Sequence, residues 1–173
     1  MFTLLFDWGN TLMIDYPDEA GPMYTWKKIS PVRHAREALA ALHKKYPCYL
    51  ATNAKDSSKH EIQTALEMAG LHRYISGIFC FKEIGYEKGS REYFDCILNE
   101  LKIDKGRLVM IGDDPEKDYA GAERNGIAAL LYDPEEKADT RRYRVIHDLM
   151  ELEKVIPGMT HVHWRSGQES ENL

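Results

Sequence analysis

Five short apolar runs punctuate the chain: Phe2 to Phe6, Cys48 to Ala51, Ile78 to Phe81, Leu108 to Ile111 and Ala128 to Tyr132. Runs this short, bounded by turn-forming residues, read as strands buried on both faces. Between them the apolar residues return at helical spacing, as Ala35, Ala38, Leu39 and Leu42, then Ile62, Ala65, Leu66 and Ala69, then Phe94, Ile97, Leu98 and Leu101. Local signals bound these helices. Ser30 before Pro31 is a helix start, with Tyr46 and Pro47 as the stop; Ser58 and Glu61 have the spacing of a capping box that Gly70 closes. Ser90 opens the third helix, a further helix from Glu116 to Asn125 stops at Gly126, and Arg141 to Val155 reads as the last. Strands alternating with helices predict an α/β fold, a Rossmann-like three-layer sandwich around a mainly parallel five-stranded sheet. The pattern covers residues 1–155 as a single domain. Residues 156–173 read as a C-terminal tail, partly disordered and frayed from Gly167 onward; within it His161 and His163 lack a third ligand nearby and read as tail rather than metal site.

Polar residues follow four of the strands: Asp7 after the first, Thr52 and Asn53 after the second, Lys88 after the third, and Asp113 after the fourth. In a parallel sheet these ends share one edge, where ligands of open α/β folds bind. The set has a chemical logic. Asp7 and Asp113 offer carboxylate oxygens to a hard divalent cation, most naturally Mg²⁺. Thr52 and Asn53 offer donors, and Lys88 a positive charge, to an anion whose other side meets the metal. Together they predict a phosphate site. The irregular excursion after Leu12, with Pro17, Gly21 and Pro22, lies at the same edge, and its Met23, Tyr24 and Trp26 read either as a flap over the pocket or as aromatic cover on the body of the domain.

Composition narrows the partners. The 173 residues suit one well-buried domain, and the net charge of -5 argues against a nucleic-acid backbone as the main partner. No apolar run approaches the roughly 18 residues of a membrane span, and the start of the chain does not read as a secretory leader. Cys48, Cys80 and Cys96 have neither paired nor metal-type spacing and read as buried, reduced thiols, which points to the cytoplasm.

The residues at the strand ends resemble the motifs of the haloacid dehalogenase (HAD) superfamily over about the first 135 residues. Its first motif, Asp-x-Asp-x-Thr, resembles Asp7-Trp8-Gly9-Asn10-Thr11; its second resembles Thr52-Asn53, its third Lys88, and its fourth, Gly-Asp-x-x-x-x-Asp, matches Gly112-Asp113 through Asp118. The resemblance implies a HAD-like fold and a phosphatase or phosphotransferase in which Asp7 attacks phosphorus and forms an aspartyl-phosphate. It implies that Mg²⁺ is held by Asp7, Asp113 and the backbone carbonyl of Gly9, with Asp114 and Asp118 in supporting positions. Thr11, Thr52 and Asn53 would bind the phosphoryl group, and Lys88 would hold it against the nucleophile.

Gly9 departs from the motif. The family's residue there carries a carboxylate that moves protons, a task glycine cannot perform, and Asp15, Asp18 and His34 are the candidates to replace it. The short spacings between motifs leave no room for a large cap domain, which makes this a capless (C0-type) member with an open site. A phosphorylated small molecule or macromolecule, or a second copy of the chain, would close it. The alternative reading is a HAD-fold regulatory protein that binds phosphate and metal with little or no turnover. A third is a phosphonate or haloacid hydrolase.

Overall fold

The computed structural model describes residues 1–159. The tail expectations at His161, His163 and from Gly167 onward lie outside the described residues. Within them the chain forms a parallel sheet of six strands in the order β3-β2-β1-β4-β5-β6. These are β1 (Thr3–Asp7), β2 (Cys48–Thr52), β3 (Gly77–Cys80), β4 (Leu108–Gly112), β5 (Ala128–Tyr132) and β6 (Val145–Ile146).

β1 is central, pairing with β2 on one side and β4 on the other. Its side chains alternate between the two faces, and both faces are covered. Leu4 and Phe6 join the core formed with α1 (Ala35–Leu42), α2 (Lys59–Met68) and α6 (Leu152–Gly158), through Leu39, Ile62, Leu66 and Ile156. Leu5 joins the opposite core, against α4 (Arg91–Leu101) and α5 (Gly121–Arg124), through Tyr93, Phe94, Ile97 and Ala122, while the short α3 (Phe81–Ile84) leads from β3 to the loop that carries Lys88. The chain winds outward from β1 to β3 and then crosses to β4. A crevice therefore opens at the carboxyl ends of β1 and β4, the switch point at which such sheets bind ligands. Asp7 and Asp113 flank it.

The sixth strand corrects the five-stranded expectation. Arg141 to Val155 does not form one helix: Arg141 N–H and its guanidinium close a turn on Asp139, and β6 then pairs with β5, with Leu131↔Val145 and Tyr132↔Ile146 in register. Only after it does Asp148, in a capping box with Glu151, open the helical turn that leads into α6. Alternation decides this segment. Tyr143 and Val145 pack on one core and Ile146 on the other, an alternation proper to a strand rather than a helix.

Ser30-Pro31 likewise starts no helix. Pro31 bridges to Met13, Ile14 N–H donates to Ser30 O at 2.9 Å and Val32 N–H to Leu12 O at 3.0 Å. The excursion after β1 is thus stitched back onto its own beginning, and α1 begins after His34, whose φ is 60°. The capping box at Ser58 and the Ser90 cap of α4 form as read. Cys48 and Cys80 are buried, whereas Cys96 sits exposed on α4, so the expectation of three buried thiols holds for two. Among the described residues no helix is long and apolar enough to cross a membrane. Between β1 and β2 the chain adds one 3₁₀ turn, Met23–Thr25, and helix α1, with no large cap.

Candidate active site

A cavity of about 360 Å³ opens at this sheet edge, and Asp7, Thr52, Asn53, Lys88, Asp113, Asp114 and Asp118 all reach it. Residues from four strand ends therefore meet as the sequence predicts.

The floor is a cluster of buried charges. Asp7 is 7% exposed, Lys88 7% and Asp118 1%. The Lys88 ammonium pairs with Asp7 and lies 2.7 Å from Asp118 Oδ1. Burial opposes its charge, but the two carboxylates outweigh burial and raise its pKa. Lys88 is positioned from β2, because its N–H donates to Asn53 Oδ1 at 2.6 Å. Asn53 thus orders the lysine loop, and Thr52 Oγ1 accepts from Ala54 N at 3.1 Å to shape the turn beside it.

Thr11 is placed differently from its expected role toward phosphate. It is fully buried, and its hydroxyl lies 3.0 Å from Asp7 Oδ2 and 3.2 Å from Asp113 Oδ1. It bridges the two acids from beneath. Asp114 caps the next segment, accepting from Glu116 N and Lys117 N at 2.9 Å each. Burial pushes its pKa up, but these N–H groups prevail and hold the carboxyl below its usual range.

Asp118 stands closer to the centre than its expected supporting position. After β4 the chain enters a wide, π-type helical segment, Pro115–Ala120, in which Tyr119 N–H reaches back to Asp114 O at 3.2 Å. The widened turn aims Asp118 back at the strand end. Gly112 makes room for it, since a Cβ there would collide with the Asp118 carboxylate. Carboxylate oxygens of Asp7, Asp113 and Asp118 lie within 4.8 Å of one another. Burial first, and then Asp7, raise Asp113 to about 6 and Asp118 to about 7. Three acids facing one ammonium carry unbalanced negative charge, and their oxygen donors fit a hard divalent cation. Nothing in a reading of separate strand ends signalled Asp118's full membership, because its reach depends on the wide turn.

The walls come from the excursion after β1. Trp8, Met23 and Trp26 line the cavity; Met23 is at the same time buried in the core, and Trp26 Nε1 donates to Gly21 O at 2.9 Å. Tyr24 packs on the core instead. Of the three candidates to replace an acid at position 9, His34 is engaged elsewhere, its Nδ1 2.6 Å from Asp148 Oδ2. Asp18 is exposed and does not line the cavity, whereas Asp15 does.

Known proteins resemble this chain in sequence and in fold. A ribulose-1,5-bisphosphate 5-phosphatase of Halopiger xanaduensis is 34% identical over 115 residues, covering 65% of this chain and 46% of the relative. The Escherichia coli pyrimidine 5'-nucleotidase YjjG is 30% identical over 97 residues, covering 52% of this chain and 43% of the relative. The chain therefore spans about half the length of the curated relatives it matches. An uncharacterized Listeria monocytogenes protein superposes with a TM-score of 0.77 at 24% identity, over 91% of this chain and 97% of the other. A HAD phosphatase from Thermococcus onnurineus superposes at 0.71 and 16% identity, over 91% and 99%. The haloacid dehalogenase-like hydrolase family matches residues 9–126, and the chain, with the parallel sheet and converging strand ends described above, belongs to that family.

Proposed function

We propose that the protein is a Mg²⁺-dependent phosphomonoester hydrolase or phosphotransferase that works through an aspartyl-phosphate on Asp7. The observation that carries this reading is the buried floor: a carboxylate held by Lys88 and Thr11 at the base of an open cavity, with two further carboxylates beside it. The names of the two curated relatives, a 5-phosphatase and a 5'-nucleotidase, support a phosphate ester as substrate.

Asp7, Asp113 and the Gly9 carbonyl would hold the metal, with Asp118 adjoining. When bound it would supply positive charge that offsets the repulsion between carboxylates and phosphoryl oxygens. The protein's own residues do the rest. The Asp7 carboxylate attacks phosphorus, its oxygen bonding as the ester bond breaks. Lys88, charged and desolvated, steadies both the nucleophile and the incoming phosphoryl group. Thr52 and Asn53 close the β2 side, one through its hydroxyl and the other by fixing the Lys88 loop. The open mouth, bounded by Trp26 and lacking a cap among the described residues, fits a capless member whose substrate or partner supplies the cover.

Hydrolysis of p-nitrophenyl phosphate, with and without Mg²⁺, tests this. Activity should require the metal and fall to the buffer rate in Asp7→Asn; activity that persists in that variant removes Asp7 as nucleophile. Gly9 favours a second reading, a protein that binds phosphate and metal without turnover. It predicts phosphate binding by calorimetry with no hydrolysis of any monoester.

A further inference from the structure

We propose that Asp15 is the general acid and base of this site, delivered by a loop that carries its carboxyl group to the space left open at Gly9. The proposal rests on the phosphatase reading above and concerns which residue moves the protons.

The chain leaving β1 folds back on itself within a few residues. Trp8 O accepts from Leu12 N at 3.1 Å and Met13 N at 2.9 Å, and Asn10 N donates to Met13 O at 2.6 Å. Asn10 takes φ 54°, a left-handed conformation that asparagine tolerates better than most residues. Its side chain then makes the closing bond, Oδ1 accepting from Asp15 N at 3.0 Å. Residue 15 is thereby returned to residue 9. A Cβ built on Gly9 would lie 3.4 Å from Asp15 Oδ2, 3.6 Å from Asp15 Cβ and 3.7 Å from Asp15 Cγ. The Asp15 carboxyl therefore sits against the volume that a side chain at position 9 would enter, in the wall of the same cavity that holds Asp7.

The other acids lining this cavity have their own tasks. Asp113 and Asp118 belong to the floor, Asp114 caps the helical segment, and Asp56 Oδ1 accepts from Ser57 Oγ at 3.0 Å on the β2 side. The Asp15 carboxylate makes no ion pair or hydrogen bond with another described residue. It is available to exchange protons with a ligand.

The steps balance. As the bond from Asp7 to phosphorus forms and the bond from phosphorus to the ester oxygen breaks, the Asp15 proton passes to that oxygen and the alcohol leaves. A water oxygen then attacks phosphorus and gives one proton to the Asp15 carboxylate. The Asp7–phosphorus bond breaks, releasing phosphate and restoring both acids.

Leaving groups supply the test. Asp15→Asn should lower kcat/KM for glycerol 2-phosphate, whose alkoxide needs a proton, by about 10²- to 10⁴-fold. With p-nitrophenyl phosphate the release of nitrophenolate needs no proton. A rapid burst should therefore survive, followed by slow turnover and accumulation of phosphorylated protein detectable by mass spectrometry. Affinity for inorganic phosphate should stay within about twofold, and the melting temperature should hold because Asp15 is exposed. Position 9 has room for a side chain, so adding Gly9→Asp to Asp15→Asn should restore turnover of the alkyl ester at least tenfold. Equal losses on the two esters, or no loss on either, with the wild type active, overturn the role of Asp15 alone. A wild type that hydrolyses neither ester overturns the phosphatase reading and this proposal together.

Discussion

The floor of the site and the loop that walls it begin at the same strand end and are built by opposite means. The floor gathers Asp7, Lys88 and Asp118 from three separate parts of the chain, and each is under a tenth exposed. Buried charges must be matched when the chain folds, so their geometry is fixed before any substrate arrives. The loop from Gly9 to Asp15 is buried at Thr11, Leu12 and Met13 and exposed at Asn10 and Asp15. Its exposed end is closed by short-range hydrogen bonds and one asparagine side chain. A rigid floor suits binding and nucleophilic attack. The loop touches the floor through buried Thr11, but its exposed end from Asn10 to Asp15 can present a proton donor through local bonds alone. That end and the floor should therefore fail in different ways.

The largest effect should come from the floor. Lys88→Met removes the only partner of opposite sign that Asp7 and Asp118 have among the described residues. Breaking such a buried pair costs about 3–5 kcal/mol, on the order of 10 °C in melting temperature for a chain of this size. Lys55→Met, which breaks the exposed, solvent-screened pair with Glu87, should leave the melting temperature nearly unchanged. Thermal unfolding of both variants measures the contrast, and comparable losses would show that the floor is not held by its charges.

A smaller effect should follow from the backbone contact that props up the lysine loop. A Cβ on Gly121 would lie 2.7 Å from Gly89 Cα, and Gly89 itself, at φ 94°, leaves only 2.9 Å between a Cβ and Lys117 O. Two glycines let the segment after Lys88 touch the start of α5. Gly121→Ala should cost about 1–3 kcal/mol through overpacking. It should also weaken inorganic phosphate binding, because Lys88 lies next to Gly89. Loss of stability with phosphate affinity intact would separate the lysine from its prop.

The same contrast governs what could be read from the sequence. Asp7 and Asp113 stand where apolar strand runs stop at a polar residue, which makes them legible, whereas Lys88 comes after β3 and a short helix, Phe81–Ile84. Ser58 with Glu61 and Ser90 were legible because caps are local chemistry. Asp118 was underestimated because its reach depends on a π-type turn with no sequence period. β6 is not legible because Tyr143, Val145 and Ile146 are too few for their alternation to stand out. Asp15 was one acid among several in a loop; only the closure by Asn10 brings it back to Gly9.

Removing the metal should produce an effect confined to the floor. In chelator, Asp113 and Asp118 hold protons more tightly folded than unfolded, since burial and the neighbouring Asp7 raise them to about 6 and about 7, above the ordinary aspartate value of 3.8. The folded state therefore binds more protons between about pH 4 and 7, and stability should decline as pH rises through that window. Above pH 7 the penalty is complete. A decline of a few degrees in melting temperature from pH 5 to pH 8 is expected for a domain of this size. Mg²⁺ should stabilise the protein most at pH 8, above the raised values of Asp113 and Asp118, and little at pH 5. A melting temperature that is flat with pH in chelator, or equal stabilisation by Mg²⁺ at both pH values, would remove the three acids as a metal site.

The smallest effect on stability should come from the loop. Asn10→Gly deletes the bond to Asp15 N, worth about 0.5–1.5 kcal/mol, and at the same time relieves the strain of φ 54°, so net stability should change by less than about 1 kcal/mol. Turnover should respond more. A general acid held loosely loses alignment with the leaving oxygen, and kcat/KM for glycerol 2-phosphate should fall about tenfold while inorganic phosphate binds as before. Asn10→Asp keeps both an acceptor for Asp15 N and tolerance of the left-handed backbone, and should restore most of the loss. A glycine variant that turns over like the wild type would show that the tether is dispensable. In that case the Met13–Pro31 bridge and the bonds on Trp8 O are enough to return Asp15 to Gly9.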